Sequence, residues 1–176
     1  MNGNSGGVSV LVLGLGNALM ADDGFGPAVA AAVREAGLPR GAAAVEAPDV
    51  LQLSRLWRGE AEVWLVDAVA TGDHPPGTIH RIAHHELLEL APCTGSAHHL
   101  DLVDALRWLL HGSPVLAGVR FRLWGAEPER VGPWSGLGAR VAAAVPVVAQ
   151  EILRTVERRR LGRADLETSS FGFRTR

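Results

Sequence analysis

Apolar and polar positions along the chain fall into alternating strand-like and helix-like segments. Val8-Ser9-Val10-Leu11-Val12-Leu13 is β-branched and mostly apolar, ends at Gly14, and predicts a strand buried on both faces at the centre of a parallel sheet. After the loop Gly14 to Gly26, the Ala/Val-rich stretch Pro27 to Ala36 stops at Gly37-Leu38-Pro39. Pro27 suits a first helical turn, so this stretch predicts a helix. A weaker strand is expected near Ala42 to Glu46. Asp49 then stands where it can cap a helix running to about Arg58, with Leu53, Leu56 and Trp57 at helical spacing.

Val63-Trp64-Leu65-Val66 predicts a second strongly buried strand, ending at Asp67. The turn Gly72-Asp73-His74-Pro75-Pro76-Gly77 leads into Thr78 to Ile82, a short strand suited to a sheet edge. A helix is expected from about His99 to His111, a last strand from Val119 to Leu123, and a long helix from Val141 to Arg160. Pro146 kinks that last helix or marks its true start. Strands alternating with helices predict an α/β fold: a three-layer α/β/α sandwich around a mainly parallel, twisted sheet of about five strands. The length of 176 residues suits one domain, residues 1–160, followed by a polar and mobile tail, residues 161–176.

Composition narrows the function classes. With 47% apolar residues and a mean hydropathy of +0.13 the chain can build a full core, so wholesale disorder is excluded. Seventeen basic against nineteen acidic residues leave a net charge of −2, which offers no general attraction to nucleic acid or anionic lipid. Neither a nucleic-acid nor a membrane partner is expected. The single cysteine, Cys93, has no partner for an internal disulfide or a structural zinc cluster. The apolar run from Val8 to Leu15 is far shorter than a membrane span. The expected compartment is the cytoplasm.

In open α/β sheets, ligands gather at the carboxyl ends of the strands. Here the two most buried strands lead into Asp22-Asp23 and Asp67, while His98 and His99 open a later helix. A dinucleotide fingerprint fails, because the third glycine position is Leu19 and the adjacent carboxylates repel phosphate. A P-loop is excluded by the absence of lysine. Carboxylate oxygen with imidazole nitrogen suits a divalent transition metal such as zinc or nickel. Spacing alone leaves the plainer reading open: a capping Asp22 or Asp23, an Asp67 bonded to loop amides and a His98 at a helix start. Cys93, with His98 five residues on, invites a thiol-protease reading but sits beside Pro92 with no local third member, and reads as a loop cysteine. His84-His85-Glu86 with Glu89 reads as a solvated helix start. Trp57, Trp64, Trp108 and Trp124 read as residues on or beside core elements, and Trp134 as a docking contact.

The segment Gly14-Leu15-Gly16-Asn17-Ala18-Leu19-Met20-Ala21-Asp22-Asp23-Gly24-Phe25-Gly26 resembles the opening signature of the hydrogenase maturation endopeptidases, which process the large subunit of nickel-iron hydrogenases. The resemblance continues at Val66-Asp67-Ala68, at Pro76-Gly77-Thr78 and at Ser96-Ala97-His98-His99-Leu100, spanning roughly residues 8–160. It implies a hydrolase that removes a short C-terminal extension from the large-subunit precursor after nickel insertion. It also implies a metal-contacting trio at Asp23, Asp67 and His98, with Asp22 and His99 as second choices. The catalytic group stays open, with Asp23 and Asp67 as candidates. The nickel would be recognised in the substrate, with no tightly held cofactor of the chain's own. Two other classes stand beside this one: a noncatalytic assembly factor for a hydrogenase subunit, and a nucleotide-binding module. One segment departs from the family pattern. Many members carry an Asp-Gly-Gly-Thr-like loop, associated with substrate recognition, where this chain has Glu46-Ala47-Pro48-Asp49.

Overall fold

A computed structural model describes residues 9–90, 99–133 and 136–170, with the side chains of 99–101 and 162–170 outside the description. In chain order the elements are β1 (Val10–Leu15), α1 (Phe25–Ala36), β2 (Ala42–Ala47), α2 (Leu53–Leu56), β3 (Glu62–Ala68), β4 (Ile79–Ile82), α3 (His84–Glu89), α4 (His99–Gly112), β5 (Arg120–Ala126) and α5 (Ala139–Ser170). The strands form one sheet in the order β2-β1-β3-β5-β4, parallel throughout except for β4, which closes one edge antiparallel to β5.

Alternation along the strands divides the interior into two layers. Val12, Trp64, Val66 and Trp124 pack with Phe25, Val29 and Val33 of α1 and with Val148 and Ile152 of α5. Residues of the opposite parity, Leu11, Leu13, Leu65 and Phe121, pack with Leu53 of α2, Leu87 of α3, and Leu106 and Leu109 of α4. Both faces are therefore covered, as continuous apolar strand sequences require. The expected three-layer α/β/α sandwich around a mainly parallel sheet is the fold observed.

Three local expectations are revised. Asp49 does cap, accepting a 2.9 Å bond from the Leu51 N–H, but the helix begins as a 3₁₀ turn at Val50–Gln52 and ends at Leu56. Trp57 turns to extended backbone and donates its indole N–H to the Glu60 carbonyl at 2.8 Å. Trp108 is 70% exposed, because Leu102, Leu106 and Leu109 form the buried stripe of α4 and residue 108 lies off it. The last helix passes Arg160, where the apolar spacing ends, and continues to Ser170. Pro146 lies within it on an exposed position, where water can satisfy the carbonyl it leaves without a donor.

The junction of α1 with the sheet fixes where the first loop lies. A Cβ at Gly26 would fall on the carbonyl oxygens of Leu15 and Val66, so the start of α1 rests directly on the ends of β1 and β3. Gly26→Ala is expected to destabilise by about 3 kcal/mol, because backbone atoms on two strands would have to move. Gly118→Ala, with open space around the new methyl, should stay within about 0.5 kcal/mol of the parent. Urea unfolding of the two variants checks the pair of expectations.

Candidate metal and active site

The carboxyl ends of β1 and β3 open into a cavity of about 440 Å³ lined by Gly16, Asp23, Asp49, Asp67, Leu102 and Asp104 among others. Four carboxylates therefore converge on it, and among the described residues its lining contains no arginine or histidine. Asp104 is paired with Arg107 at 3.2 Å, and the remaining acidic groups give a lining that suits a cation better than a phosphate, which weighs against the nucleotide-binding alternative.

The first loop positions Asp23 by backbone geometry. Gly16 has φ +116°, and a Cβ there would collide with the Asp23 carbonyl, so only glycine lets the chain fold this closely. The Asn17 N–H, one residue on, donates to Asp23 Oδ2 at 2.7 Å. The Asn17 side chain in turn accepts from the Leu19 N–H at 2.9 Å. Ala21 holds φ +53°, a conformation that costs a non-glycine residue free energy, immediately before the two aspartates.

Those neighbours point to different tasks. Asp22 is fully buried, and its carboxylate accepts the N–H groups of Glu129 (2.8 Å), Arg130 (3.1 Å) and Gly138 (2.6 Å). It fastens the first loop to the segment that joins β5 to α5, alongside an Ala21–Val131 bridge. Asp23 is partly exposed and lines the cavity. The ambiguity between adjacent carboxylates thus resolves geometrically: one is an internal clamp, the other faces the opening.

Asp67 is the penultimate residue of β3 and shares the face of Val63 and Leu65, turned toward α4. Its Oδ1 accepts the Ala68 N–H at 2.8 Å. Burial pushes its carboxyl up to about 8, against the pull of that N–H, and the charge of Asp23 adds to the rise. Asp23 and Asp67 are therefore electrostatically coupled across one opening. Together they offer oxygen ligands to a divalent cation, whose charge would relieve their repulsion.

His98 and Cys93 lie outside the described residues, as does Trp134. His99 begins α4, the helix whose Leu102, Asp104 and Ala105 form one wall of the cavity. Asp49, from the segment that departs from the family pattern, forms another wall. Its place in the cavity was legible only as a helix cap. Asp104 carries no local motif and is revealed by packing alone. His84, read as part of a solvated helix start, is partly buried: its Nδ1 accepts the Phe121 N–H at 3.1 Å and its ring stacks on Phe121.

Among the described residues, no helix is long and apolar enough to cross a membrane. No family model matches the chain, and no match is found among curated protein sequences. Solved structures do match. HybD from Thermococcus kodakarensis, a NiFe hydrogenase maturation protease, superposes with a TM-score of 0.70 at 24% identity over 84% of this chain and 99% of its own. The hydrogenase maturating endopeptidase HybD from E. coli gives 0.69 at 24% identity, covering 85% and 93%. A hydrogenase 2 maturation peptidase from a Thaumarchaeota archaeon gives 0.58 at 25% identity, covering 85% and 98%. The chain shares its fold with the NiFe hydrogenase maturation proteases.

Proposed function

We propose that the chain is an endopeptidase that removes the C-terminal extension of a hydrogenase large-subunit precursor, acting on precursor that already carries nickel. The observation that supports this most directly is the pairing of Asp23 and Asp67 in a cavity at the carboxyl edge of the sheet. Two carboxylates bind a transition ion incompletely. With His98, the third ligand that the family resemblance implies, they would make a three-ligand set that leaves coordination positions for groups the substrate brings. Nickel held by the precursor would be gripped by Asp23, Asp67 and His98, which makes cleavage conditional on metal loading.

The chemistry required is addition of water to the scissile carbonyl and departure of the amine. The substrate's nickel can polarise that carbonyl. A carboxylate of the pair takes the proton from the attacking water and returns it to the leaving nitrogen. Asp23 suits contact with the ion because the Asn17 amide fixes one of its oxygens. The setting we infer is the cytoplasm, in keeping with the single cysteine.

Incubation with nickel-loaded and nickel-free precursor tests the reading by mass spectrometry. The loaded form should lose its C-terminal extension and the nickel-free form should not. Asp23→Ala and His98→Ala should each lower processing at least about 100-fold, with the circular dichroism spectrum unchanged. Tight binding of loaded precursor without mass loss would identify an assembly factor instead. Equal cleavage of both forms would overturn metal gating.

A further inference from the structure

A second group of ligand-type side chains lies away from the Asp23–Asp67 cavity. One ring nitrogen each of His74 and His80 and one oxygen of Glu127 lie within 4.8 Å of one another. His74 belongs to the turn between β3 and β4, His80 to β4, and Glu127 follows β5. His80 Nε2 is 3.1 Å from Glu127 Oε2, and the two imidazoles meet edge to face with centroids 5.0 Å apart. We propose that His74, His80 and Glu127 form a second metal site, which takes a divalent transition ion of the zinc class.

The donor set matches that ion class: two imidazoles and one carboxylate, with a fourth position open for water. In a tetrahedral site with bonds near 2.1 Å, neighbouring ligand atoms stand about 3.4 Å apart. The His80–Glu127 pair, at 3.1 Å, is close to that spacing, and His74, exposed on its turn and held to Thr71 through Nδ1, can close the remaining distance by a side-chain rotation.

Outer hydrogen bonds prepare the ligands. Glu127 is 4% exposed, and its carboxylate accepts the N–H groups of Thr71 (3.0 Å) and Gly72 (2.9 Å) and the Thr71 hydroxyl (2.8 Å). Burial opposes the charge on Glu127, but these bonds and His80 hold its carboxyl below the ordinary range. Because the Thr71 hydroxyl gives its proton to Glu127, it can only accept from His74 Nδ1, 3.0 Å away. His74 is thereby the Nδ1–H tautomer, and its Nε2 carries the lone pair that a metal needs. Fixing a ligand's tautomer through an outer oxygen is how proteins commonly prepare histidine for coordination.

This site is distinct from the first. Asp67 and His80 both pair in register with Gly125, so they share a sheet face two strands apart, roughly 10 Å. The Val69 side chain fills the space over Gly125 between them. An ion at the second site would tie the turn after β3 to the end of β5.

Zinc and cobalt(II) titrations of untagged, chelator-stripped protein test the proposal. Asp67→Asn, which disables the first site, should still bind one zinc, and cobalt(II) should give the visible absorption of a four-coordinate ion. Adding His74→Gln and His80→Gln to that variant should weaken zinc binding at least 10-fold, with the circular dichroism spectrum retained. Zinc uptake that is absent from Asp67→Asn, or equal with and without the two histidines, would overturn the site.

Discussion

Asp22→Ala is expected to lower stability by about 3–5 kcal/mol, because it removes a fully buried carboxylate that accepts three amide donors, one of them buried and two part-buried. Those donors belong to Glu129, Arg130 and Gly138, all more than 100 residues along the chain from the carboxylate. For a domain of this size the change corresponds to a fall in Tm of roughly 8–15 °C. Asp22→Asn should lose less, since one oxygen still accepts. The neighbouring Asp23→Ala loses one bond from the Asn17 N–H on a partly exposed loop, and its cost should stay below about 1 kcal/mol. Thermal unfolding of the two alanine variants side by side separates clamp from site. The assignment fails if Asp23→Ala proves the more damaging.

Asp67→Asn is expected to do the reverse and stabilise the chelator-treated protein. The Asp67 carboxyl sits at about 8 in the folded chain, raised from an ordinary value of 3.8. Between those values the folded chain binds a proton that the unfolded chain has released. Stability contributed by that proton is fully present below about pH 4, declines as pH rises, and is gone above about pH 8. Asparagine cannot titrate, so the decline should disappear from the variant. At pH 7 the gain should be about 2–3 kcal/mol, allowing for partial exposure of the carboxylate to water. The measurement is the difference in unfolding free energy between parent and variant from pH 4.5 to 8.5. A difference that does not change with pH would show that Asp67 is ionised throughout. Under the proposed function the same variant loses processing, so stability and activity move in opposite directions at one residue.

Much of this architecture is legible in the sequence. The buried runs at Val10–Leu13 and Val63–Val66 are continuous and apolar because both sheet faces are covered, and continuity of that kind survives any tertiary context. The position of Asp67 followed from it, since the residue that ends a central parallel strand has one place to go. What remained hidden depended on contacts between distant segments. Nothing near Asp22 distinguishes a clamp from a ligand, because its partners come from residues 129–138. Glu127 likewise acquires its histidines only when β4 folds back antiparallel to β5. Trp108 is exposed because its angular position on α4 lies off the apolar stripe, which apolar content alone does not convey.

The seating of Gly26 on the Leu15 and Val66 carbonyls has a further consequence. One glycine touches both the strand that leads into the Asp23 loop and the strand that carries Asp67, so main-chain contact fixes how close those two backbone segments lie. Under the proposed function the opening would work as a gauge, the separation of its two backbone walls being established when the protein folds. A gauge of that kind discriminates by size and coordination geometry, and it would do so equally for an ion offered by a partner and for one free in solution.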